Sequence, residues 1–157
     1  MILVTVGTQL PFERLIKAVD EFADRHKDIQ TFGQIGESTY IPRHFQSKPF
    51  LAKSEYEEKF KRANVIVSHA GMGSIISALT NKKPIIILPR LASLGEHRNE
   101  HQMATCEKFR DIEGCYVADS PAELIAILED LDSIQGGSIS DYASDSLIQS
   151  IEDYIGD

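Results

Sequence analysis

The sequence predicts a doubly wound α/β domain, a mostly parallel sheet with helices on both faces. Strand and helix signals alternate along the chain from its first residues. The strand runs are apolar at consecutive positions, as strands covered on both faces are. Glycine loops follow several of these runs just where helical periodicity begins, the arrangement of strand–helix units around one parallel sheet.

Ile2–Val6 is a short β-branched run ended by Gly7 and reads as a buried strand. Pro11 opens a helix in which Phe12, Leu15, Ile16, Val19, Phe22 and Ala23 recur at helical spacing. Ile29–Phe32 is a weaker second strand, followed by Gly33 and Gly36. Pro49–Ala52 reads as a third, before a helix from Ser54 whose Ser54 and Glu57 have capping-box spacing. Val65–Val67 is the fourth strand, and a helix starts at about Ser74 after its glycine loop. Pro84–Leu88 and Cys115–Val117 are the fifth and sixth, alternating with helices at Glu100–Phe109 and Pro121–Leu131. The expected organisation is a domain over residues 1–132, a Ser/Gly-rich loop over 133–140, and a C-terminal segment, 141–157. That segment carries an amphipathic helix, Tyr142–Tyr154, as a partner-docking element or a helix packed on its own sheet.

The 157 residues suit one compact domain. With 16 Lys and Arg against 24 Asp and Glu, the net charge is −8, which argues against a nucleic-acid surface. Cys106 and Cys115 form no C-x-x-C pair and no disulfide framework, so a reducing compartment is expected. They read as helix packing and strand core. No cationic leader precedes Ile2, and the longest apolar run, Pro84–Pro89, falls far short of the ~20 residues that span a bilayer. The chain is expected not to cross a membrane by itself.

Ligands of an open parallel sheet bind beyond the carboxyl ends of its strands. Gly7–Pro11, Ser68–Gly73 and Pro89–Arg98 meet at that edge and carry the glycines, histidines and charges. In Ser68–Ser74, Gly71 and Gly73 let backbone N–H groups approach a ligand, and a helix N-terminus adds partial positive charge. A diphosphate fits there, with His69 adding a hydrogen bond or a charge. The alternative is a tight turn with Ser74 as a plain N-cap. There is no G-x-x-x-x-G-K-[ST] and no G-x-G-x-x-G after the first strand, which excludes a P-loop NTPase and argues against a dinucleotide oxidoreductase. Asp130-Leu131-Asp132 and the pair His97, His101 read as surface polar residues rather than metal ligands.

Four segments in order, Val4–Thr8, Val67–Ser74, Lys83–Arg90 and Gly95–Gln102, resemble the C-terminal, sugar-nucleotide-binding domain of GT-B glycosyltransferases of family 28. The likeness extends from Met1 to about Leu128. It is greatest to the Alg13-like and PssE-like small subunits of split enzymes. The resemblance implies a Rossmann-like sheet forming the C-terminal half of a GT-B fold. Gly7 and Thr8 then face the interdomain cleft, while His69, Gly71, Gly73 and Ser74 hold the nucleotide diphosphate. Glu100, His101 and Gln102 read the donor sugar hydroxyls. Many relatives carry a ribose-binding Glu where this chain has Ser77, a substitution that weakens nucleoside binding roughly tenfold.

The implied reaction is inverting transfer from a UDP-sugar to a lipid-linked acceptor in polysaccharide or glycolipid assembly, with no metal and no cofactor. His69 is a weak candidate for the base; the general base and acceptor groove belong to the other half of the cleft. The implied partner is a membrane-anchored, acceptor-binding subunit, Alg14-like or PssD-like, that keeps the chain at the cytoplasmic face of the membrane. Self-association stays open. The alternative of a different class is a non-catalytic subunit that stabilises a partner transferase.

Overall fold

The computed structural model of the chain describes residues 1–7, 10–97 and 100–137. Thr8 and the segment 141–157 lie outside the described residues. Six strands form one sheet: β1 (Ile2–Thr5), β2 (Thr31–Gln34), β3 (Gln46–Lys48), β4 (Val65–His69), β5 (Ile85–Leu88) and β6 (Cys115–Val117). All neighbours are parallel, in the order β3-β2-β1-β4-β5-β6. The chain runs outward from β1 to one edge and returns beside β1 to build the other half. The topological switch point therefore falls between β1 and β4.

Five helices cover the two faces: α1 (Glu13–Arg25), α2 (Lys53–Arg62), α3 (Met72–Thr80), α4 (His101–Phe109) and α5 (Pro121–Leu128). Ile2, Val4, Val67, Ile86 and Leu88 pack with Leu15, Ile16 and Phe22 of α1 and Leu124 and Leu128 of α5. On the other face Leu3, Ile66, Ile85 and Ile87 pack with Ile75 and Leu79 of α3 and Cys106 and Phe109 of α4, with Phe60 of α2 against them. Burying each such side chain stabilises by about 1.5–3 kcal/mol. Burial pushes the Cys106 and Cys115 thiols up to about 12, so both stay protonated and act as small apolar groups.

The doubly wound α/β class stands, with local corrections. The third strand is Gln46–Lys48, not Pro49–Ala52. An edge strand pairs on one side and needs no apolar run, whereas Pro49 lacks the donor a ladder requires. The second strand sits two residues later than its apolar run, because Gly33 leaves room for Phe45: a Cβ there would lie 2.8 Å from its ring. Ser54 is inside α2, whose N-cap is Ala52 with no side-chain cap, so the capping box does not form. α3 begins at Met72 after Gly71, so Ser74 lies in its first turn and is not the N-cap.

After α5 the chain makes a single turn at Leu131–Ser133, and Leu131 and Ile134 pack on the α1/α5 core. Tyr116 Oη accepts from Gln135 N at 2.8 Å. Gly136 and Gly137 then press on the loops entering β5 and β6. A Cβ at Gly136 would lie 2.1 Å from the Lys82 carbonyl oxygen, and one at Gly137 1.9 Å from that of Glu113.

Asp20 of α1 is buried and fixes the β2–β3 connection. Its carboxylate accepts from His44 N at 2.8 Å, Arg43 N at 3.1 Å and Tyr40 Oη at 2.6 Å. The same bond, ahead of burial, raises the Tyr40 pKa. Asp20→Ala orphans these donors and should lower unfolding free energy by about 2–3 kcal/mol in urea titrations. An unchanged midpoint would show that the connection does not depend on this carboxylate.

Candidate functional site

β4 delivers His69 to the carboxyl edge of the sheet beside the switch point. Its imidazole sits between two backbone segments that only glycine permits so close. A Cβ on Gly71 would lie 2.4 Å from His69 Cε1, and one on Gly7, whose φ is +77°, 2.9 Å from Nε2. The turn ends in the N-terminus of α3, so the N–H groups of its first residues point at the space beside the ring.

Arg90, at the end of β5, is 2% exposed. Its guanidinium donates to the carbonyls of Val6, Pro11 (3.0 Å) and Glu96 (3.2 Å), and lies 4.9 Å from the Phe12 ring centroid. Arg14 of α1 grips the Glu96 carboxylate at 3.0 and 3.1 Å and donates to the Pro89 carbonyl at 2.8 Å. Glu96 Oε1 also accepts from Leu91 N at 3.0 Å. Buried Arg90 and the partly buried Arg14–Glu96 ion pair thus tie the loops after β1 and β5 to the start of α1.

Gln102 of α4 is buried in the same region. Its Oε1 accepts from Ala70 N at 3.2 Å and Arg90 N at 2.9 Å, and its Nε2 lies 3.0 Å from His69 Nδ1. Two of its acceptor positions and one donor are therefore used inside the fold.

Burial, then the charge of Arg90, then His97, lowers the His69 pKa to about 3. The ring is neutral at physiological pH. Burial also lowers Arg90, to about 10, against the opposing pull of Glu96, so the guanidinium keeps its charge.

Two hollows open at this edge. The smaller, about 350 Å³, is lined by Gly7, Leu10, His69, Gly71, Arg90 and Gln102 among others. The larger, about 1050 Å³, lies between α2 and α3 and is walled by Gln34, Leu51, Phe60, Lys61, Ser77 and Asn81. Thr5 and Tyr56 line it as well; burial, opposed by a hydrogen bond with Thr5, raises the Tyr56 pKa. Gly7, Gly73 and Ser74 border both hollows.

Of the residues singled out in the sequence, Gly7, His69, Gly71, Gly73, Ser74 and Gln102 meet around the smaller hollow, and Ser77 faces the larger. Glu100 and His101 line neither. Glu100 Oε1 instead accepts from Ala92 N at 2.8 Å, at the surface. Arg90 and Glu96 were not singled out. The available signal was an arginine directly following an apolar strand and Pro89, within a segment already marked as a ligand loop.

A parallel sheet with this strand order, and polar groups gathered at its switch point, defines a Rossmann-like α/β domain. Residues 1–135 match the glycosyltransferase family 28 C-terminal domain, and the chain belongs to that family. It is 30% identical over 110 residues to the human protein described as UDP-N-acetylglucosamine transferase subunit ALG13, covering 63% of this chain and 10% of that protein. The Yarrowia lipolytica protein of the same description is 30% identical over 105 residues, covering 56% of this chain and 52% of its own length. The chain thus spans from about a tenth to about half of these relatives. In fold, a solution structure of ALG13 aligns with TM-score 0.62 at 19% identity, covering 86% of this chain and 87% of that one. MurG from Acinetobacter baumannii aligns with TM-score 0.57 at 18% identity, covering 83% and 41%. The described helices include none long and apolar enough to cross a membrane.

The His69 environment predicts a pH dependence. The unfolded ring takes a proton near its ordinary value of 6.5, the folded ring only near 3. Between these values the unfolded state binds more protons, so stability falls on acidification from about pH 6.5 downward. Urea titrations from about pH 7 to pH 4 should show a shallower loss for His69→Asn than for the parent chain. Equal slopes would contradict a depressed His69 pKa.

Proposed function

We propose that the chain is the donor-binding subunit of an inverting glycosyltransferase that uses a UDP-sugar. The observation that carries this reading is the pair of hollows joined at Gly7, Gly73 and Ser74, where the N-terminus of α3 and His69 meet. A nucleoside fits the larger hollow along α2 and α3, with Ser77 beside the ribose. The diphosphate lies over the Gly71–Ser74 turn, and the sugar extends into the smaller hollow. Cleavage at the anomeric carbon leaves negative charge on the departing diphosphate. The backbone N–H groups of the turn and a neutral His69 N–H meet that charge without a metal ion, and donors of this kind are worth about 10²–10³ in rate each. Thr8, outside the described residues, is kept in this proposal as a diphosphate contact, and Glu100 and His101 reach the sugar only if the start of α4 shifts toward the smaller hollow.

His69 is a poor general base here, because a ring neutral down to about pH 3 has little affinity for a proton. The base and the acceptor groove are assigned to a partner, and the surface supports one. Leu10, Ile41, Phe50, Leu94 and Met103 are exposed large apolar side chains, on loops after β1, β2, β3 and β5 or in the first turn of α4. Leu10, Phe50, Leu94 and Met103 lie toward the carboxyl edge, where the proposal places a partner's half of a GT-B cleft. We propose a membrane-anchored partner presenting a lipid-linked sugar acceptor, joined in part by the segment 141–157. The name of the human and yeast relatives, a transferase subunit, supports the subunit reading. Ser77 favours a second reading, a non-catalytic stabilising subunit, since a neutral hydroxyl grips a ribose less tightly than a carboxylate.

UDP should bind equally well with and without EDTA in calorimetry, and Gly73→Val should abolish binding while leaving the circular dichroism unchanged. Loss of binding in EDTA would overturn the metal-free scheme. Ser77→Glu should tighten UDP about tenfold by supplying a charged acceptor. The chain with a membrane-anchored acceptor-binding protein should transfer sugar to a lipid-linked acceptor, and neither should do so alone. Turnover by the isolated chain would refute the split-enzyme proposal; UDP binding with no turnover in the reconstituted pair would favour the stabilising role.

A further inference from the structure

We infer that Gln102 is a positioning residue of the donor site: its amide, clamped between the ends of β4 and β5, fixes His69 as an Nε2–H donor facing the Gly7–Gly71 gap. Only the identity of what receives that proton rests on the nucleotide-binding reading. The tautomer follows from this chain's own hydrogen bonds.

A side-chain amide is oriented by its neighbours. Gln102 Oε1 is approached by two backbone N–H groups, of Ala70 and Arg90, at 3.2 and 2.9 Å. A flipped amide would set its NH2 against both donors and leave them unpaired in a buried place, a costly arrangement. The amide therefore has one orientation, which puts its NH2 3.0 Å from His69 Nδ1. An N–H donor there requires a lone pair on Nδ1. Burial keeps the ring neutral, so its one proton sits on Nε2. That atom faces the gap: it lies 2.7 Å from a Cβ built on Gly71 and 2.9 Å from one built on Gly7.

The three bonds also couple position to protonation. Ala70 directly follows β4, Arg90 lies two residues past β5, and one carbonyl oxygen joins them. The atom that sets the ring tautomer thus belongs to the group that sets the distance between the two strand ends. The family resemblance implies that Gln102 reads sugar hydroxyls. Its geometry gives it a task that comes before any sugar arrives.

Long-range proton–nitrogen correlation spectra of the full chain test this without a substitution. His69 should show a protonated Nε2 and an unprotonated Nδ1 at neutral pH; a protonated Nδ1 in the parent chain overturns the inference. Gln102→Glu keeps an acceptor for Ala70 and Arg90 but brings no proton for Nδ1, so Nδ1 should become protonated. An unmoved tautomer in that folded variant would equally overturn it. In UDP titrations Gln102→Glu should weaken binding by more than about tenfold in the parent and by a clearly smaller factor in a His69→Asn background, the difference being the part that acts through His69. Equal effects in both backgrounds would show that Gln102 acts on its own. If the tautomer moves as stated while UDP binds no form of the chain, the positioning inference stands and the nucleotide reading fails.

Discussion

A guanidinium with almost no access to water must find acceptors inside the protein, and Arg90 finds three carbonyl oxygens, two on the connection from β1 to α1 and one on the segment after β5. Removing such a charge from water costs several kcal/mol, recovered only through good geometry. The loop after β1, the start of α1 and the segment after β5 are thereby held to one arrangement. Arg14 and Glu96 close the same arrangement from outside, with side chains only 18% and 11% exposed. The hollow beside His69 exists because these segments cannot relax independently, and its shape follows from where the arginine must lie.

This constraint divides the labour of the sheet. Its middle strands are dry on both faces, and the apolar cores leave no place there for a polar function. Polar groups collect where the strands end, and backbone N–H and C=O groups left over at those ends become partners for Gln102 and Arg90. The neutral His69 is a product of the same crowding: burial and a nearby fixed positive charge both oppose a proton on the ring. The site therefore presents hydrogen-bond donors more than mobile charge. Such donors need no reorganisation when negative charge develops against them.

What was legible in the sequence follows this division. β1, β4 and β5 could be read because strands buried on both faces must be apolar throughout. β3 could not, since an exposed edge strand of Gln46, Ser47 and Lys48 carries no such signature. Ser54 and Ser74 sat near helix starts, but local spacing does not say which residue the helix begins after. At the site, the glycines around His69 were legible because close backbone approach needs them. The tasks of Gln102 and Arg90 were not, because their partners lie up to 33 and 84 positions away and only the assembled fold brings them near.

The Gly136–Gly137 contact has a practical consequence for where this domain can be cut or extended. These residues lie against the loops that enter β5 and β6, the edge of the sheet remote from His69. Gln135 is paired with Tyr116 just before them. A fragment ending at 132 would strip this clasp and expose Ile134's place in the core, whereas one ending at 137 keeps it whole. A label, affinity handle or surface linkage joined directly after Gly137 would emerge on the far side from the hollow, leaving the carboxyl edge clear for small molecules. The two glycines would have to be left alone, since even alanine there would drive a methyl group into a carbonyl oxygen.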